Sequence, residues 1–230
     1  MNANIAVREF VLAGTSPLSD EEIVSRVRAG DTALYEVLMR RYNQRLFRVA
    51  RSILRDDDEA EDVMQDAYVR AYTSLHQFEG RAQFSTWLTK IAVHEASGRL
   101  KKRKRLQALP GSPPQEDRSM ESIKSSSPDP EQQALRQQAA SFLEQAVDAL
   151  PHSYRCVFVC REIEHMSTSE TANSLDVTEE TVKIRLHRAR QMLQNQLYAL
   201  AGATSSQAFQ FMGMRCDRVV RGVFDRLQEL

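Results

Sequence analysis

The stretch "MSTSETANSLDVTEETVKIRLHRARQML", Met166 to Leu193, decides the fold of the second half of the chain. Ser167 followed by Glu170 is a capping box, in which a hydroxyl and a carboxylate satisfy free backbone N–H groups at a helix start. After "SLDV", Thr178 supplies a second cap, and Glu179 and Glu180 lie in the first turn of the next helix, at the positive end of its dipole. Two helices therefore meet across a tight turn. Asp176 sits in that turn where glycine is common, and aspartate is among the few other residues that tolerate left-handed backbone angles. On the second helix Val182, Leu186, Ala189 and Leu193 share one face, which must pack inward. The opposite face carries Lys183, Ile184, His187 and Arg188, flanked by Arg185 and Arg190. An isoleucine left among cations has no core to serve. The mixture suits a helix entering a DNA major groove, where cations and polar groups address guanine edges and phosphates and an apolar group meets a thymine methyl. A solvated basic helix would explain the cations alone, but not the paired caps and the tight turn.

Upstream, Asp129-Pro130 opens a helix with proline at the tolerated first position, and Leu135, Ala139, Phe142, Ala146 and Leu150 form its apolar face. Pro151 opens another, "PHSYRCVFVCREIE". Before these lies "ALPGSPPQEDRSMESIKSSSPDP", rich in Pro and Ser and poor in large apolar residues, which reads as a flexible linker. The first half is helical too. Ser19 with Glu22 caps "IVSRVRA", and Gly30 stops it; Asp31 then caps a long helix with Leu34, Leu38, Tyr42, Leu46, Val49 and Ile53 on one face. A further helix is expected to be capped around Asp58, with Glu61 three residues on, and to bury Ala60, Met64, Ala67, Ala71 and Leu75. After a loop containing Gly80, Ser85 is the expected cap of "STWLTKIAVHEASGRLKK". No period of two persists, so the fold class is all-α: two small helical domains joined by a flexible linker, with a short helical tail. The expected boundaries are 18–106, linker 107–129, 130–200 and tail 201–230. In the tail Val219, Val220, Val223, Phe224 and Leu227 recur at helical spacing and are expected to pack on the second domain.

Formal net charge is zero, with 31 basic and 31 acidic residues, which excludes a uniformly cationic coat but not local patches. The three cysteines, Cys156, Cys160 and Cys216, show no disulfide spacing; Cys156 and Cys160, four apart on a helix, could present two soft ligands, but without a CxxC or a histidine partner they read rather as buried small apolar residues. No signal peptide or apolar run of about 18 residues appears, so a cytoplasmic protein without membrane insertion is expected. No cofactor, metal or catalytic constellation is expected, and no enzymatic activity.

One patch stands out in the first half. Lys90, His94, Ser97, Lys101 and Lys104 step by three or four along a helix, and Trp87 borders them. With Phe78 and Phe84 just before, this reads as aromatic platforms beside a basic track, the arrangement that binds single-stranded nucleic acid. Taken singly, each aromatic reads more readily as core. "DDDEAED" could hold a metal, but acids at a helix start are more often caps and dipole partners; those further along could form a docking surface.

Together "RVRAGDTALYEVLMRRY", "DDEAEDVMQDAYVRAY", "FEGRAQFSTWLTKIAVHEA" and "LPHSYRCVFVCREIEHMSTSETANSLDVTEETVKIRLHRAR", in this order, resemble the bacterial sigma-70 family, specifically its extracytoplasmic-function (ECF) sigma factors. The resemblance covers roughly residues 18 to 200 apart from the linker. It implies a factor that binds core RNA polymerase and directs promoter-specific initiation, nucleoid-associated when in holoenzyme. By position, the helix of Asp58, Asp62, Gln65, Asp66 and Arg70 would dock on the clamp helices of the largest polymerase subunit, and the second domain on the flap. Phe78, Arg81, Phe84 and Ser85, with Trp87, Lys90, His94 and Lys101, would recognise and melt the minus-ten element; Phe78 and His94 would line a pocket for a flipped base. Family members often carry asparagine where His94 stands. Lys183, Ile184, His187 and Arg188 would face minus-thirty-five bases and Thr181, Arg185 and Arg190 the phosphates, with Thr178 a further DNA-binding residue of this element. An anti-sigma partner is also implied. The rival reading is a dimeric helix-turn-helix regulator acting without replacing sigma.

Overall fold

A computed structural model of the chain describes residues 18–108 and 130–205, together with residues 218 and 221. Among these, all regular structure is helical. The linker from 109 to 129 and the apolar positions expected for the tail helix lie outside the described residues.

In the first half, α1 (Asp20–Arg28) is capped by Ser19, whose hydroxyl accepts from the Glu22 N–H, and buries Ile23, Val24 and Val27. Gly30 ends it at a φ of 109°, a backbone angle that favours glycine. The expected Asp31 cap is absent: Asp31 makes no side-chain capping bond and precedes a short 3-10 turn, Thr32–Leu34. Helix α2 (Tyr35–Leu54) follows and buries Leu38, Leu46, Val49, Ala50 and Ile53. Arg55 then takes left-handed angles and closes α2, so the first extended residue after it is Asp56. That shifts the next cap two residues before the expected one. Asp56, not Asp58, accepts from the Glu59 N–H at 2.8 Å and starts α3 (Asp57–Thr73). A second 3-10 turn, Leu75–Gln77, leads toward α4 (Phe84–Gln107). Ser85 is not the α4 cap. The helix begins at Phe84, whose fully buried ring anchors the first turn, and Ser85 lies inside the helix, buried.

The second half begins with α5 (Pro130–Asp148), then α6 (His152–Phe158), which runs on into a π-helical turn at Val159–Ile163. Helix α7 (Thr168–Leu175) carries the complete Ser167–Glu170 capping box. Asp176 follows at φ 51°, as its place in the turn requires, and Thr178 caps α8 (Glu179–Ser205).

Among the described residues, three apolar clusters organise these helices. One holds Ile23, Leu38, Leu46, Ala67, Phe84 and Leu88 within the first half. Another joins Val157, Ala172, Val182 and Leu186 in the second. The third mixes the halves: Val49, Ile53, Leu54, Val63, Val93 and Ala96 pack with Cys156, Cys160 and Met166. Segments on either side of the linker therefore also share a core. Among the described residues, those up to Arg190 form one compact unit.

Candidate nucleic-acid interface

The inner side of α8 is sealed by Val182 and Ala189, both fully buried, and by Leu186. That fixes the helix's rotation and turns Lys183, Ile184, His187, Arg188 and Arg190 outward, while Thr181 and Arg185 are half-buried at the margins. Ile184 stays 48% exposed, an apolar group left on the outer face. Thr178 Oγ1 accepts from the Thr181 N–H at 3.1 Å, so both hydroxyls sit at the helix start. Two of the cations are held in place. Arg188 Nη1 donates to the Tyr154 hydroxyl at 3.4 Å, and Arg190 Nη2 pairs with Glu162 at 2.6 Å.

The aromatic group of the first half is arranged differently from the expected open platform. Phe78, Phe84 and Trp87 form a cluster with ring centroids 5.4 to 5.7 Å apart. Phe84 is fully buried and also meets Tyr42, and Phe78 is 6% exposed. In this conformation both are wall rather than stacking surface. Trp87 is the half-buried member at the edge. The turn before α4 is drawn in by Arg28, which donates to the carbonyls of Leu75, at 3.0 Å from Nε, and of Phe78. Arg81 is exposed and pairs with Glu79; Lys101 is exposed on α4. Lys90 and His94 both reach Asp176 of the second half, each at 2.6 Å.

On α3, Asp58, Asp62, Gln65, Asp66 and Arg70 are all exposed, as a docking face requires. Arg99 of α4 bridges Asp62 at 3.2 Å and Asp66 at 2.5 Å, while Arg70 pairs with Glu95. Val69, 65% exposed, adds an apolar centre that the sequence did not single out. Its signal was there: an apolar residue between Asp66 and Arg70 on the acidic side of an amphipathic helix. Beside this face, between α2 and α3, runs a groove lined by Met39, Phe47, Met64, Gln65 and Tyr68. Arg28, Arg99 and Arg155 carried no such signal, because each lies on an ordinary helix and finds partners 33 to 103 residues away.

Comparison with known proteins places these surfaces in a family. The sigma-70 region 2 model matches residues 38–106, and the sigma-70 region 4 model matches residues 143–193. The RNA polymerase sigma-H factor of Pseudomonas aeruginosa is 30% identical over 189 residues, 79% of this chain and 95% of that protein. The chain belongs to the ECF group of the sigma-70 family. The ECF sigma factor SigW of Bacillus subtilis is 30% identical over 176 residues, covering 76% of this chain and 94% of SigW. The ECF sigma-E factor of Escherichia coli K12 is 30% identical over 186 residues, covering 80% and 96%. Two solved structures share the fold. CnrH, in complex with the cytosolic domain of CnrY, aligns with a TM-score of 0.53 at 24% identity over 77% of this chain and 96% of that one. The sigma factor RpoE of Bartonella quintana, in complex with the anti-sigma factor NepR, gives 0.57 at 22% over 71% and 96%. Region 2 of this sigma factor thus runs from α2 to the end of α4. Region 4 takes in the last turns of α5 and the helix-turn-helix. Among the described residues no helix is long and apolar enough to cross a membrane.

Proposed function

We propose that this ECF sigma factor joins core RNA polymerase and directs it to promoters, with α8 reading the minus-thirty-five duplex and α4 melting the minus-ten element. The observation that carries the reading is the outer face of α8, where Lys183, Ile184, His187 and Arg188 stand exposed on a helix locked by a buried inner face. A duplex offers its sequence in the major groove, which a helix can enter. A single strand must be captured by taking bases out of the stack, at about a few kcal/mol each. Trp87 is the ring placed to receive one, beside the Lys90, His94 and Lys101 track, with Phe78 and Phe84 as its backing.

The exposed acidic face of α3, with Asp58, Asp62, Gln65, Asp66 and Arg70, is the proposed seat on the polymerase clamp helices, and the second domain the seat on the flap. The working domains are 18–106 and 130–200, with 107–129 threading the enzyme between them. An anti-sigma factor is the proposed regulator, in keeping with the complex of the Bartonella quintana sigma factor with NepR. The decisive experiment mixes the full chain, core polymerase and promoter DNA and follows opening of the minus-ten region by permanganate reactivity. Opening that needs both proteins is expected. Tight duplex binding by a dimer of the chain alone, with no opening when polymerase is added, would replace this reading with that of a conventional regulator.

A further inference from the structure

The turn between α7 and α8 lies against α4, and the contact uses the basic track itself. Thr86 Oγ1 donates to Glu170 at 3.4 Å, Lys90 Nζ meets one oxygen of Asp176 at 2.6 Å, and His94 Nε2 meets the other at 2.6 Å. Thr86, Lys90 and His94 follow one another at four-residue steps, so they line one face of α4. A single carboxylate offering one oxygen to each of two side-chain nitrogens makes the contact that a backbone phosphate makes with such a pair. We propose that Asp176 is an internal phosphate mimic, holding the Lys90–His94 anion site that single-stranded promoter DNA would occupy, so that the chain masks its own minus-ten surface until the turn lifts.

Two further features agree. Asp176 adopts φ 51°, a left-handed angle that aspartate is among the few side chains to tolerate, so the turn can carry a carboxylate at this point. The Lys90 and His94 hydrogen bonds hold its carboxyl below the ordinary aspartate range, which keeps it an anion.

The inference rests on the sigma reading of α4, and its test does not use polymerase. Binding of a fluorescent single-stranded DNA of about ten nucleotides to the full-length chain is measured by anisotropy. Asp176→Asn, which keeps the turn geometry, and Asp176→Gly, which eases it, should each tighten binding about tenfold. Glu21→Gln, the same loss of charge on exposed α1, should change it far less. In a Lys90→Ala, His94→Ala background the Asp176 substitutions should have no effect. Unchanged affinity in both Asp176 variants, or a gain equal to that of Glu21→Gln, would overturn the mimic. Failure of the sigma reading looks different: the wild-type chain would not open a promoter with core polymerase, whatever the Asp176 variants do.

Discussion

Arg155, beyond the linker, donates from Nε to the backbone carbonyl of Ser52, before it, at 2.6 Å. The same guanidinium donates from Nη1 to the carbonyls of Asp148, at 2.9 Å, and Leu150, at 3.0 Å. One buried cation thus ties the end of α5 and the start of α6 to α2. Nearby, Arg51 pairs with Asp148 at 2.9 Å, and Arg45 and Arg48 both reach Glu164.

Removing that knot should be costly. Arg155→Ala leaves three carbonyls without their donor, and a loss of about 3 kcal/mol in urea unfolding is expected. Arg155→Lys should recover part of it, since an ammonium cannot reproduce the guanidinium fork. A change under about 0.5 kcal/mol for the alanine variant would show that the halves do not depend on this contact.

The aromatic cluster separates packing from function. Phe84→Ala should lower stability by about 3 to 5 kcal/mol, as expected for emptying a fully buried ring site. Trp87→Ala, at the half-buried edge, should cost less stability and impair promoter opening more than closed-complex binding. Equal stability losses would place Trp87 in the core with Phe84.

On α8, Lys183→Ala and Arg188→Ala should each weaken promoter recognition by about 1 to 3 kcal/mol per lost base contact and relax sequence preference. Arg190→Ala should lower affinity with little change in preference. Glu162→Gln, which frees Arg190 from its 2.6 Å ion pair, should raise affinity uniformly across sequences. Selection of bound sequences from a randomised upstream element measures all four.

Glu170 predicts an acid limit. Burial pushes its carboxyl up, but the Ser167 backbone, Ser167 side-chain and Thr86 hydrogen bonds outweigh that and leave it below the ordinary glutamate value of 4.5. A carboxyl depressed in the folded state contributes stability above its unfolded pKa, and that contribution is lost as pH falls through the folded value. Unfolding followed from pH 6 downward should show the loss beginning near the ordinary glutamate value. Glu170→Gln should flatten it.

Burial raises the Cys156 thiol to about 11 and pushes the Cys160 thiol up as well. Neither should react with a maleimide at neutral pH until the chain unfolds, because the thiolate is the reactive form. Labelling at the unfolding rate, read by mass spectrometry, is the expected result.

What could be read from the residues in order was whatever acts within about one helical turn. The Ser19, Ser167 and Thr178 caps, the left-handed Asp176 and the outward side of α8 all follow from neighbours three or four positions apart, and each stands as expected. Where a local reading slipped, a neighbouring constraint had priority: left-handed Arg55 moved one cap to Asp56, and buried Phe84 began α4 before Ser85. The shared core of Val49, Ile53 and Val93 with Cys156 and Cys160, the Arg155–Ser52 bond and the grip of Lys90 and His94 on Asp176 belong to the tertiary structure alone. Periodicity shows that a face is apolar or charged. Which distant face meets it depends on shape and on desolvating several groups at once, a condition that no single segment contains.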